Sequence, residues 1–185
     1  MPDEVLIRHC SPTLAGIKTG NIFTCPCDSK ESMIDEIREI NHKIAARGLC
    51  LIPMKFSKGK VLLYLYRPDK LGEDLSDAEA VRILEECGYD RFTHGACLMN
   101  LIKRLNEGAG FPHEIGLFLS YPTEDVRGFI ENHAAGYKYS GLWKVYGDVT
   151  KARRTFASYQ KCTDVYRLQL KRGKTLTDLA VRCKA

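Results

Sequence analysis

Three short stretches carry the residue types that could do chemistry. In RHCSPTLAG (8–16), His9 stands beside Cys10 just ahead of Ser11-Pro12, a pair that suits the entry of a helix. A thiol at a helix N-terminus feels the positive end of the dipole, which favours thiolate, and Arg8 and His9 would act in the same sense. Cys25-Pro26-Cys27 places two sulfurs one residue apart, tighter than a CxxC zinc knuckle but able to chelate a soft metal or to pair an attacking with a resolving thiol. His9, Cys10, Cys25 and Cys27 together would form a Cys₃His set suited to iron or zinc. In FPHEIGL (111–117), His113 and Glu114 follow Pro112 at a second helix start. The second His of HExxH is missing, so this is no zincin helix. His113 could serve Cys10 as a base, giving a Cys-His nucleophilic pair. Trp143 and Tyr146, with Glu114, are the candidate walls of a ligand site.

The segment 112–132 has a second reading, a helix-turn-helix with its turn at 120–122. Its would-be recognition face carries Thr123, Glu124, Asp125, Glu131 and Asn132, with only Arg127 to meet phosphate. Acids facing a polyanion oppose binding, so a scaffold hairpin is the better reading.

These residues need elements to hold them. The pattern predicts a short helix that starts after Ser11, at Pro12, and ends near Lys18, a strand at 21–24 and a turn at 25–28. An amphipathic helix is expected over 29–47, built on Met33, Ile34, Ile37, Ile40 and Ile44. LCLIPMKF (49–56) and VLLYLYR (61–67) flank SKGK as a β-hairpin whose arms are apolar on both faces, so helices should cover it. Ser76 and Glu79 read as a capping box for a helix to Cys87, and Thr93 caps another that Gly108 closes. Two short helices break at Tyr121-Pro122, GLWKVYG (141–147) reads as a strand, and a helix of about 24 residues starts at Asp148. The order argues an α+β or mixed α/β fold, a single compact domain over 1–185 with a small hairpin-based sheet covered by helices.

The totals narrow the classes. A chain of 185 residues, 44% hydrophobic and 28% charged, can bury a core. No apolar run has transmembrane length and MPDEVLIRHC has no signal-peptide core, so a cytoplasmic protein off the membrane is expected. Eight cysteines, at 10, 25, 27, 50, 87, 97, 162 and 183, are then free thiols rather than a disulfide framework. The net charge of +5 is mild, and its bases read as scattered among acids.

HCSPTLAGIKTGNIFTC (9–25), FPHEIGLFLSYPTEDVRGFIEN (111–132) and GLWKVYGD (141–148) together resemble a bacterial family of unknown function, known mainly from clostridia and other anaerobic Firmicutes. The resemblance spans nearly the whole chain. It implies no activity, and its association with ferrous-iron uptake and flavodoxin genes tilts expectation towards iron or redox biology. In the family pattern a Cys commonly stands where this chain has Ser140, and a Gly where it has Ser120. Three function classes follow: a thiol/histidine site for iron, zinc or an iron-containing cofactor, a Cys-His enzyme acting on a small electrophile, and a DNA-binding or protein-interaction module on the 112–132 hairpin.

Overall fold

The computed structural model describes residues 1–107 and 110–182; the expected helix stop at Gly108 and the thiol of Cys183 lie outside them. The chain divides into two compact units, Met1–Lys70 with Lys161–Ala185, and Leu71–Gln160. The architecture is α+β, as the pattern implied, with one three-stranded and one two-stranded antiparallel sheet.

The first unit opens with α1 (Asp3–Leu14), β1 (Gly20–Pro26) and α2 (Lys30–Ile44), which a 3-10 turn extends over Ala45–Arg47. Then come β2 (Cys50–Ser57) and β3 (Lys60–Tyr66). The hairpin is where the apolar runs placed it, and β1 adds to it in the order β1-β3-β2. Ser29 caps α2 by accepting from the Ser32 N–H. Met33, Ile37, Ile40 and Ile44 turn its buried stripe onto the sheet. A bulge lies between Pro53 and Lys55 of β2, an edge strand, where a proline's missing N–H is tolerated.

α1 differs from the expectation. It starts at Asp3 behind Pro2, with Asp3 and Glu4 in its first turn, and runs through Ser11 and Pro12. Ser-Pro is therefore interior. Ser11 is buried and its hydroxyl donates back to the Ile7 carbonyl. Leu6, Ile7, Cys10 and Leu14 form a fully buried stripe, and that packing outweighs the unfavourable proline. Below it, the Pro12 carbonyl accepts from the N–H groups of Ile17 and Lys18, which turns the chain into β1.

One side chain holds the unit's segments together. Arg67 is 2% exposed. Its Nε donates to the Thr13 carbonyl at 2.8 Å, its Nη2 to those of Leu14 and Val181 at 2.9 and 2.8 Å, and its Nη1 to that of Arg47 at 3.1 Å. The last carbonyls of α1, the turn after α2 and the C-terminal segment thus share one guanidinium.

The second unit follows α3 (Pro68–Leu75), which crosses the boundary, with α4 (Ala78–Glu86), α5 (His94–Glu107), α6 (Ile115–Phe118) and α7 (Thr123–Glu131). Asp77, not Ser76, caps α4, accepting from the Glu79 and Ala80 N–H groups. The expected strand at 141–147 is instead a tight hairpin of β4 (Tyr139–Ser140) and β5 (Lys144–Val145). It turns at Gly141, where a Cβ would stand 2.2 Å from the Phe156 ring. α8 (Val149–Lys171) begins in the second unit and ends in the first, and α9 (Leu176–Leu179) packs on α1. Among the described residues no helix is long and apolar enough to cross a membrane.

Replacing Arg67 by Ala removes this donor from four carbonyls, two of them buried and two partly buried, and we expect a loss of about 3–5 kcal/mol. Lysine, with no fork, restores only a fraction. Urea unfolding followed by far-UV circular dichroism checks both; a midpoint unchanged in Arg67→Ala would show that the guanidinium is not the anchor described.

Candidate functional site

The structure puts Cys10, Cys25 and Cys27 in one region, but as packing. Cys10 and Cys25 belong to the first unit's core, with Cys27 partly buried against it. Cys10 sits mid-helix with no exposed surface, away from the N-terminal dipole that would have lowered its pKa. Burial pushes its thiol far above the ordinary range, with the nearby Lys18 ammonium opposing weakly. Burial likewise raises Cys25. Cys27 donates to the Ser29 carbonyl at 3.4 Å. His9 lies at the edge of this core; its ring is exposed and stacks on Phe23, a core residue, at 5.4 Å. Among the described residues no group of three or more His, Cys, Asp or Glu side chains could hold a metal ion. The Cys₃His donor set therefore does not fit iron or zinc.

His113 and Glu114 lie in the second unit. His113 is exposed, its ring 4.8 Å from that of Phe129. Glu114 is 2% exposed, and its Oε1 accepts from Arg104 Nε at 2.6 Å and from the Tyr89 hydroxyl at 3.1 Å. These two bonds tie its loop to α5 and to the turn after α4. Arg127, the one cation of the helix-turn-helix reading, is held by Glu79, by Glu86 at 3.0 Å and by Glu131 at 3.4 Å. It is neutralised where a recognition helix needs it free.

The stretches 111–132 and 141–148 meet at Asp125. This 3%-exposed carboxylate accepts from Trp143 Nε1 at 2.7 Å, and from the Tyr146 and Gly147 N–H groups at 2.7 and 2.8 Å. Trp143 stacks on Tyr121 at 4.5 Å and meets the Phe156 edge at 4.4 Å. Tyr146 packs so close to Gly128 that a Cβ there would lie 2.4 Å from its ring. A cleft of about 430 Å³ opens beside this node, walled by Tyr121, Trp143 and Tyr159 and rimmed by carboxylates. Three of those carboxylates, besides Asp125, serve the scaffold. Asp77 caps α4, Asp148 caps the first turn of α8, and Asp74 accepts from the Ser120 hydroxyl at 3.2 Å. Ser120 has φ 56°, a left-handed backbone of the kind that favours glycine.

The first unit holds a site of a different kind. A cleft of about 380 Å³ between α1 and α8 is lined by Arg8, Arg167 and Lys171, with Glu4, Ile7 and Leu170. All three cations are exposed, and among the described residues no ion pair ties any of them to a carboxylate. The local potential registers on His9. Burial, then the Arg8 and Arg167 guanidiniums, hold its imidazole below the usual value. The surrounding unit carries eighteen Lys and Arg against ten Asp and Glu, a formal +8, while the second carries ten against thirteen, a formal −3. The scattered bases of the sequence are thus sorted by the fold. A charge count over 161–174, five bases and one acid, was the available signal, and a mild total of +5 hid it.

Residues 6–180 match the family model described as Protein of unknown function (DUF3793), and the chain belongs to that family. No curated protein and no solved structure matches it.

Two outcomes follow. In the native protein iodoacetamide should modify Cys27 well before Cys10, which reacts only on unfolding, as peptide mass mapping would read. Rapid native labelling of Cys10 with a profile below that of a free thiol would restore the nucleophile. Asp125→Asn turns an acceptor into a donor facing N–H groups and should cost about 1–3 kcal/mol, seen as a lower urea midpoint at unchanged slope.

Proposed function

We propose that this protein works by binding rather than by catalysis, and that its first unit holds a phosphate-bearing anion in the cleft between α1 and α8. One observation carries the reading: Arg8, Arg167 and Lys171 converge on a single cavity against one carboxylate, Glu4, with none of the three in an ion pair among the described residues. Like charges held together destabilise the empty site, and an anion relieves them. Two guanidiniums from different helices can each offer a forked pair of N–H donors to phosphate oxygens, with the ammonium adding a point charge.

The readings that start from the thiols gain no such support. The candidate nucleophile Cys10 is sealed in a core and its thiol is held protonated. The candidate base His113 belongs to the other unit, and the donor set for iron or zinc does not assemble. The interaction class survives, but on a surface other than the 112–132 hairpin.

Titration with inorganic pyrophosphate at low ionic strength tests the proposal. Calorimetry should give saturable binding, weakened about tenfold or more in Arg8→Ala/Arg167→Ala, whose changes are on the surface. The proton NMR titration of His9 supplies a second readout. A bound anion favours imidazolium, so the depressed His9 pKa should rise on binding. Binding that is absent, or equal in the double variant, overturns the proposal.

A further inference from the structure

The basic surface does not stop at the cleft. From Lys161 onward, α8 and the turn after it present Lys161, Arg167, Lys171, Arg172 and Lys174, all exposed, with Asp164 as the one acid. Arg8 of α1 adds a sixth cation through the cleft it shares with Arg167 and Lys171. Among the described residues none of the six is in an ion pair with a carboxylate. From Lys161 to Lys171 the helix rises ~15 Å, far more than one phosphate group occupies.

Resting on the anion reading above, we infer that the partner is the sugar-phosphate backbone of a nucleic-acid duplex, bound along this face without reading its bases. The charge is of the right sign and extent, since a duplex offers one negative charge per ~1.7 Å of its axis. The rest of the face argues against other polyanions. A membrane surface calls for a broad apolar side to sink among lipids. Here Tyr166, Leu176 and Leu179 are spent in the unit's own core, and only Val165 and Leu168 stand exposed on this part of α8. Single strands are held by stacking on exposed aromatics, and an acidic protein partner by aromatic anchors in pockets. Among the described residues the large exposed aromatic side chains are Phe111 and Tyr137, both in the second unit. A row of cations outside any ion pair, whose one aromatic neighbour, the His9 ring, is already stacked on Phe23, fits a backbone contact. The acids of the 112–132 hairpin take no part, so their objection to DNA does not apply to this face.

Fluorescence anisotropy with a mixed-sequence duplex of about 30 base pairs, between 50 and 200 mM salt, is the test. The intact chain should bind with log K falling against log[salt] at a slope of roughly −4 to −5, and alike for a second, unrelated sequence. Lys161→Ala/Arg172→Ala/Lys174→Ala, outside the cleft and on the surface, should make that slope shallower by about 2–3 while pyrophosphate binding is unchanged. No salt-dependent duplex binding, an unaltered slope in the triple variant, or tighter binding to phosphatidylserine vesicles than to the duplex each overturns the inference. If the intact chain binds pyrophosphate but no duplex, the backbone partner is sunk and the cleft reading stands. Loss of both sinks both.

Discussion

The buried guanidinium of Arg67 is the constraint on which the first unit depends. A permanent charge is costly to remove from water, and four carbonyl acceptors at 2.8–3.1 Å are what make the burial tolerable. Two of the acceptors, Thr13 and Leu14, lie at the end of α1, and Arg47 and Val181 supply one each from other segments. Because the four must converge on one planar group, the end of α1, the turn after α2 and the segment at Val181 are fixed together. The cleft depends on this indirectly. Arg8 is presented by α1 and Arg167 by α8, and α1 keeps its place through the carbonyls that Arg67 holds at its other end.

The fold separates two uses of polar side chains. In the second unit charge is consumed internally: Glu114 by Arg104 and Tyr89, Arg127 by three glutamates, Asp125 by an indole and two backbone N–H groups. Those are the polar residues of the family-like stretches, and their work is to hold loops and helix ends. In the first unit the outward bases of α8 are left unneutralised, where a stability role would have paired them. The thiols follow the same division between structure and solvent. Cys10 and Cys25 serve the core as small apolar groups, as cysteine commonly does when buried.

The sequence was most legible where apolar spacing was regular. The α2 stripe, the β2–β3 hairpin, the helix break at Tyr121-Pro122 and the long helix from residue 149 all follow from period and turn residues. It misled at Ser11-Pro12, a pair that belongs at helix starts. Only the tertiary burial of Leu6, Ile7 and Cys10 explains why the helix begins nine residues earlier. It misled again at 141–147, where Gly141 turns against Phe156, a contact with a residue fifteen positions away. The site suffered most. His9-Cys10 looked reactive because the dipole argument needs a helix start, and with the start moved the same physics gives an inert thiol. The basic face was written in the composition of 161–174, but which bases escape pairing is a property of three dimensions.

Trp143 gives the molecule an uneven optical character. It is the chain's one tryptophan, 9% exposed, its ring sandwiched in an aromatic cluster and its N–H fixed on a buried carboxylate. Indole emission excited at the red edge therefore reports on the Asp125 node alone. The first unit, with its tyrosines, stays dark in that channel. The second unit thus carries its own spectroscopic label, and its melting can be followed in the unlabelled chain against a whole-chain signal such as far-UV circular dichroism.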